Sequence, residues 1–332
     1  MTSITDTVDI SRTGAPAPKA RIFGWSMLAV LFAFQVNNVL VVGFDYPGVR
    51  HLFSGSASGL AWLQAAIYVV SIAAAAAFVI KTPERALRWD AHKIHSFNIY
   101  LIRALFWSVL LIGVVDATIA FMRVERLFLY FMDEEAARIF GKARWVGPYI
   151  HMPLVVAGFV IARFTRTLGF IWLALLIVAA ELSIVISRFV FSYEQAMMGD
   201  LVRYWYAALF LFASAYTLFE DGHVRVDVLY AGFGRTTRGF VNAVGTVMLG
   251  MSMCWVIMGV GFNGKQSIIN SPVANFEITQ TGGVGMFIKY QMAAFLGLFA
   301  ITMLIQFVSY FFEAVADKRD EPGHREITPA AH

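Results

Sequence analysis

Of the chain's 332 residues, 59% are apolar and only 14% charged, against about 25% charged in an ordinary soluble domain, so water is not its main solvent. The net charge of +4 is scattered between apolar blocks rather than gathered on one face, which argues against a nucleic-acid partner. A single cysteine, Cys254, leaves no intrachain disulfide and no thiolate metal cluster to build.

Residues 1 to 20, rich in Ser, Thr, Pro and Ala, read as a short disordered cytoplasmic tail. The apolar block that follows is longer than a signal-peptide core, so the tail is expected to stay uncleaved. Eight segments are then predicted to cross a membrane as helices: Trp25–Phe44, Leu60–Ile80, Asn98–Met122, Trp145–Ala162, Leu168–Val190, Leu201–Phe219, Phe240–Phe262 and Gly285–Phe312. The fourth is short and holds Pro148, His151 and Pro153, which also suits a re-entrant or tilted piece and a count of seven. The fold class is therefore all-α, a polytopic helical membrane protein.

Lys and Arg collect on cytoplasmic loops. With eight spans that side receives the tail with Arg12, Lys19 and Arg21, the run from Lys81 to Lys93, the Arg163/Arg166 turn, the Arg225–Arg238 loop, and Lys318 to Arg325, so both termini are expected in the cytoplasm. The Arg123–Arg144 loop departs from the pattern with five basic residues, offset by Glu125, Asp133, Glu134 and Glu135. Its RLFLYFM core suits either an amphipathic segment with Phe128, Tyr130 and Phe131 among headgroups, or an extension of the third helix.

Asp116 and Glu181 fall inside apolar helices, where a carboxyl is expensive enough to be a functional candidate. Proton or ion handling is one reading, and hydrogen bonding between helices is the other. Arg188 lies two turns beyond Glu181 and pairs with it only by reaching back. Asn37, Asn38 and Gln306 read as packing contacts. The histidines stand near helix ends or in loops, which does not suit a haem; His92 and His95 share helical spacing but lack further metal ligands. Neither a phosphate-cradling loop nor an assembly of nucleophile, base and orienter is legible, so an enzyme is not expected and no cofactor is implied.

Between the sixth and seventh segments runs FEDGHVRVDVLY, Phe219 to Tyr230. His223, Arg225 and Asp227 alternate with valines, so an extended stretch would be polar on one face and apolar on the other. With Tyr216 and the Glu220-Asp221-Gly222 turn ahead of it, this stretch resembles the signature of the small permease subunit of tripartite ATP-independent periplasmic (TRAP) transporters. The resemblance covers about residues 168 to 312. Arg188-Phe189-Val190-Phe191 is similar to the end of the family's first helix, Asp200 to Tyr204 to the start of its second, and Lys289 to Gln306 to its fourth. Two departures stand out: four additional helices precede the resemblance, and an acidic pair at the start of the second helix is reduced to Asp200.

The resemblance implies a scaffold subunit of the bacterial inner membrane. Its partners are a large permease subunit that forms the transport path and a periplasmic substrate-binding protein, and together they import organic acids such as carboxylates on an ion gradient. It also implies subunit contacts at Arg188 and Asp200 on the periplasmic side, at His223, Arg225 and Asp227 on the cytoplasmic side, and at Lys289. The division expected is a tail (1–20), an additional transmembrane region (21–166), a four-helix small-permease-like region (167–315) and a polar tail (316–332). The alternatives are a self-sufficient ion- or proton-coupled channel or transporter using Asp116 and Glu181, and a membrane enzyme or assembly factor.

Overall fold

A computed structural model of the chain describes residues 11–53, 58–166, 169–219 and 230–324. Among these, an isolated bridge between Thr13 and Arg85 is the one strand-like feature. The helices are α1 (Pro18–Phe44), α2 (Gly59–Lys81), α3 (Leu87–Val124), α4 (Glu134–Ile139), α5 (Ala143–Phe164), α6 (Phe170–Phe191), α7 (Ala196–Phe219), α8 (Arg235–Gly261), α9 (Asn270–Asn275) and α10 (Lys289–Lys318).

Local chemistry sets their ends. Pro18 opens α1, where its missing N–H costs nothing. The Ser58 hydroxyl accepts the Ala61 N–H at 3.3 Å to cap α2, and the Asp133 carboxyl accepts the Ala136 N–H at 2.8 Å to cap α4. Gly169, at φ +80°, supplies the left-handed residue ahead of α6.

Seven of these helices, α1, α2, α3, α5, α6, α8 and α10, are long and apolar enough to cross a membrane. The fourth predicted segment, doubtful on its prolines, is among them. Pro148 falls within a one-turn π-helix, Gly147–His151, and Pro153 just after it, and the widened turn absorbs the missing N–H groups without ending the helix. The sixth predicted segment is not among the seven. It is helix α7, 24 residues long, but Asp200, Arg203 and its tyrosines dilute its apolar character. The Arg123–Arg144 loop is neither a flat surface helix nor a continuation of α3. The helix stops at Val124, Arg126 turns left-handed, and a 3-10 turn, Leu127–Tyr130, follows. Phe128 is buried in a cluster with Ile119, Val146, Phe287 and Tyr290, so of the three aromatics expected among headgroups only Tyr130 and Phe131 are exposed.

The chain divides into two compact units. The first comprises residues 1–98, 217–256 and 303–332. Arg21 is fully buried there and bonds the Asp90 carboxyl at 2.8 Å and Thr82 Oγ1 at 2.9 Å, while Asp90 also receives the Trp25 indole N–H at 2.9 Å and stands 2.8 Å from Arg85. An ion pair this deep is tolerable because every charge has several partners. Asn37 donates to the Gln64 carbonyl at 3.3 Å, joining α1 to α2. Gln306 meets His95 at 3.0 Å and Asn98 at 3.3 Å. Arg88 ties α3 to Glu313 and Asp317 near the end of α10. Gly239 permits close approach, since a Cβ there would stand 2.3 Å from the Lys318 nitrogen.

The second unit comprises residues 99–216 and 257–302. Here α3 and α5 touch at Gly158, where a Cβ would lie 2.3 Å from Ser108 Oγ and 2.6 Å from the Ser108 backbone nitrogen. Ser108 donates across to the Val155 carbonyl at 3.3 Å, and Tyr100 to the Phe159 carbonyl at 3.1 Å. Such small-residue contacts with hydrogen bonds stand in for the hydrophobic drive that lipid does not supply.

Candidate functional site

The second unit encloses a polar network that centres on Asp116. Four elements build it: α3 supplies Asp116 and Arg123, the π turn of α5 supplies His151, α7 supplies Asp200 and Tyr204, and the start of α10 supplies Tyr290 and Gln291. The π turn carries an extra residue, which re-aims the side chains around it. His151, Asp116, Asp200 and Tyr204 are each 0 to 1% exposed, so their polar atoms must find partners inside the protein.

Asp116 Oδ2 accepts the Phe287 N–H at 2.7 Å, and Asp200 Oδ2 accepts the Met286 N–H at 3.0 Å. Arg123 donates to the carbonyls of Phe140 and Gly282, each at 3.3 Å, and to that of Gly285. Its guanidinium also lies 4.5 Å from the centroid of the Phe287 ring. The irregular stretch 282–287 thus has its backbone satisfied by side chains of α3 and α7, as chain without its own ladder requires when buried.

A chain of donors and acceptors leads away from Asp116. Gln291 Nε2 donates to the Phe287 carbonyl at 3.4 Å, which fixes the orientation of the amide, and lies 2.9 Å from His151 Nδ1. Tyr290 Oη also meets Nδ1, and the Tyr204 hydroxyl donates to Gln291 Oε1. With Nδ1 accepting, the imidazole proton falls on Nε2. Nε2 stands 3.3 Å from Asp116 Oδ1, outside hydrogen-bond angles, and these two buried atoms have no other hydrogen-bond partner. The arrangement can lock α10 to three other helices, and its weakest link is the His151–Asp116 contact.

Two expected residues, Asp116 and Asp200, therefore meet on adjacent backbone groups. The others lie apart from this network. Lys289 pairs at 2.7 Å with Glu277, and this bond holds the Glu277 carboxyl below its ordinary range. Arg188 stands 3.4 Å from Glu194, not Glu181. Glu181 is exposed midway along α6. His223, Arg225 and Asp227 lie outside the described residues. His95 turns inward onto Gln306 and stacks on Phe219 at 3.4 Å between centroids, whereas His92 stands 3.5 Å from Ser96 Oγ. In the exposed turn after α6, loss of hydration and then the Glu125 carboxyl raise the Tyr193 hydroxyl to about 12. Sequence reasoning missed His151, Arg123, Tyr204, Tyr290 and Gln291; the paired prolines around His151 were the one available signal.

Residues 174–313 match the family model of the DctQ component of tripartite ATP-independent periplasmic transporters. This agrees with the stretch of about 168 to 312 that carried the resemblance. Asp200, Tyr204, Tyr290 and Gln291 fall inside the match, and Asp116, Arg123 and His151 fall before it. No curated protein and no solved structure matches the chain.

Proposed function

We propose that this chain, whose residues 174–313 match the model of the DctQ component of tripartite ATP-independent periplasmic transporters, is the small permease subunit of such a transporter, enlarged by the helices that precede the match. It lies in a bacterial inner membrane, where α7 serves as an eighth span beside the seven strongly apolar helices and so brings both ends to the cytoplasm, and it pairs with a large permease subunit that forms the transport path. A periplasmic substrate-binding protein delivers an organic acid, such as a carboxylate, and an ion gradient drives its import. The family match carries this reading.

The geometry supports a scaffold role. Asp116, Asp200 and Arg123 each direct hydrogen bonds to this chain's own backbone, an arrangement suited to holding helices still. The additional N-terminal region supplies Asp116, Arg123 and His151 to brace the start of α10, so it extends the small-permease framework rather than hanging beside it. His223, Arg225, Asp227, Arg188 and Lys289 remain the proposed contacts with the partner subunits.

The test is affinity purification of the tagged chain from its native membrane in mild detergent. Co-purification of a large multi-spanning permease at a fixed ratio, weakened by Arg225→Ala or Asp227→Ala, is the expected result. A chain that emerges alone and moves solute in vesicles, with loss on Asp116→Asn, would overturn the reading.

A further inference from the structure

Helix α6 has three faces. Leu173 and Ile177 are its fully buried residues, with Ala180 and Ile184 half-buried beside them. The opposite face, with Trp172, Leu175, Leu182, Ile186 and Phe189, is exposed and wholly apolar, as a lipid-facing surface should be. Between the two runs a third stripe: Ala174, Val178, Glu181, Val185 and Arg188. Its spacing of four, three, four and three residues is the seam against which a second helix packs. Val178 and Val185 are exposed, and so are Glu181 and Arg188.

Glu181 is what distinguishes this stripe from lipid-facing surface. It lies eleven residues from the start of α6 and ten from its end, so at about 1.5 Å per residue it stands roughly 15 Å from either end, near the centre of the bilayer. Among the described residues its carboxyl has neither a hydrogen-bond nor an ion-pair partner. A carboxyl at that depth is expensive against hydrocarbon and is retained where something complementary meets it. Asp116, the other carboxyl within an apolar helix, has its complement within the chain. Glu181 therefore requires one from outside it.

We propose that this stripe is the docking seam for a transmembrane helix of the large permease subunit, and that this helix presents a positively charged side chain to the Glu181 carboxyl near mid-membrane. The valines on either side of Glu181 exclude lipid and water from the pair, and Arg188 extends the seam toward the end of α6. The proposal rests on the small-permease reading and specifies one of its interfaces.

The test uses the transporter in its native membrane. A photo-crosslinking residue is placed at Val178 or Val185 on the seam and, for comparison, at Leu182 or Ile186 on the lipid face, and the adducts are identified by mass. In parallel, Glu181→Leu and Glu181→Lys chains are purified and the accompanying large subunit is quantified. Seam positions are expected to crosslink to the large subunit and lipid-face positions not to. Recovery of the large subunit should fall by about tenfold or more for both variants, since each leaves a buried partner charge unpaired or opposed. Seam crosslinks that reach a second copy of this chain, or lipid alone, overturn the seam. Native recovery with Glu181→Leu overturns the charge pairing while the small-permease reading stands. If the native chain brings no large subunit with it, that reading falls and the seam falls with it. Crosslinking from Val178 and Val185 leaves Glu181 intact, so it decides the seam even if the Glu181 variants fold poorly.

Discussion

Exchange of Asp116 for Asn tests the direction of the buried network, because it alters hydrogen-bond chemistry at nearly constant shape. An Asn at this position has one acceptor oxygen, which is needed by the Phe287 N–H at 2.7 Å. Its amide nitrogen then faces His151 Nε2, 3.3 Å from the position of Oδ1. A donor meets a donor. If the imidazole moves its proton to Nδ1, the conflict passes to Gln291 Nε2, 2.9 Å away, whose rotation would abandon the Tyr204 hydroxyl. One buried polar group is left unsatisfied in either case, at a cost of about 1–3 kcal/mol. Asp200→Asn should cost much less. Its oxygen still accepts the Met286 N–H, and what it loses is a 3.7 Å contact with Arg203, whose side chain is 70% exposed, worth about 0–1 kcal/mol. Cys254, the sole cysteine and fully buried, reports unfolding through a thiol-reactive dye in detergent. At about 2–4 °C per kcal/mol, Asp116→Asn should lower the midpoint by several degrees and Asp200→Asn by no more than about half as much. Equal midpoints for Asp116→Asn and the native chain, or a larger loss with Asp200→Asn, would refute the assigned direction.

Three further outcomes follow from other contacts. Arg21→Met takes from the buried Asp90 carboxyl its fully buried partner, leaving the Trp25 N–H and Arg85, and should cost about 1–3 kcal/mol, whereas Arg21→Met combined with Asp90→Leu should regain part of that in the same dye assay; a double variant as unstable as the single one would show the pair is not the cause. Gly158→Val places a branched side chain where even a Cβ lies 2.3 Å from Ser108 Oγ, and should lower the unfolding midpoint more than Gly245→Val, where a Cβ meets nothing within 4 Å. Glu277, its folded pKa held below the ordinary 4.5 by Lys289, adds stability that is present above about pH 4.5 and lost as pH falls through the lower folded value. Lys289→Met should therefore flatten the acid limb of a stability–pH profile below that point, and an unchanged limb would exclude the pair as its source.

Much of the fold was legible because membrane helices announce themselves by length, and the departures have local causes. Pro148 and Pro153 made α5 look interrupted, yet the helix accommodates them by widening one turn. Asp200 and Tyr204 lower the apolar character of α7 because they face other protein, where polarity is useful, while Arg203 and Tyr206 lower it from the exposed side. Asp116 and Glu181 were indistinguishable in sequence, each a lone carboxyl in an apolar run. Their fates differ because Asp116 sits on the inward face of α3 and Glu181 on an outward face of α6. The partners of Asp116 and Asp200 carried no signal at all, since a backbone N–H is present at every residue but proline. His151 resembled a helix-end residue, and Arg21 one more positive charge in a basic tail; burial and partners 139 and 69 positions away, respectively, gave each its role.

The Asp116–Phe287 bond joins positions 171 residues apart. Synthesis runs at about 5–20 residues per second, so α3 leaves the ribosome roughly 10 to 30 s before its hydrogen-bond donor exists. During that interval Asp116 and Arg123 must rest against water or the insertion machinery, and Asp200 must do the same for a shorter time. The last 30-residue helix is therefore the piece whose arrival closes the structure. A nascent chain halted before Gly282 would carry the Asp116 and Asp200 carboxyls without their backbone donors, a signature by which membrane quality control can tell an unfinished copy from a finished one.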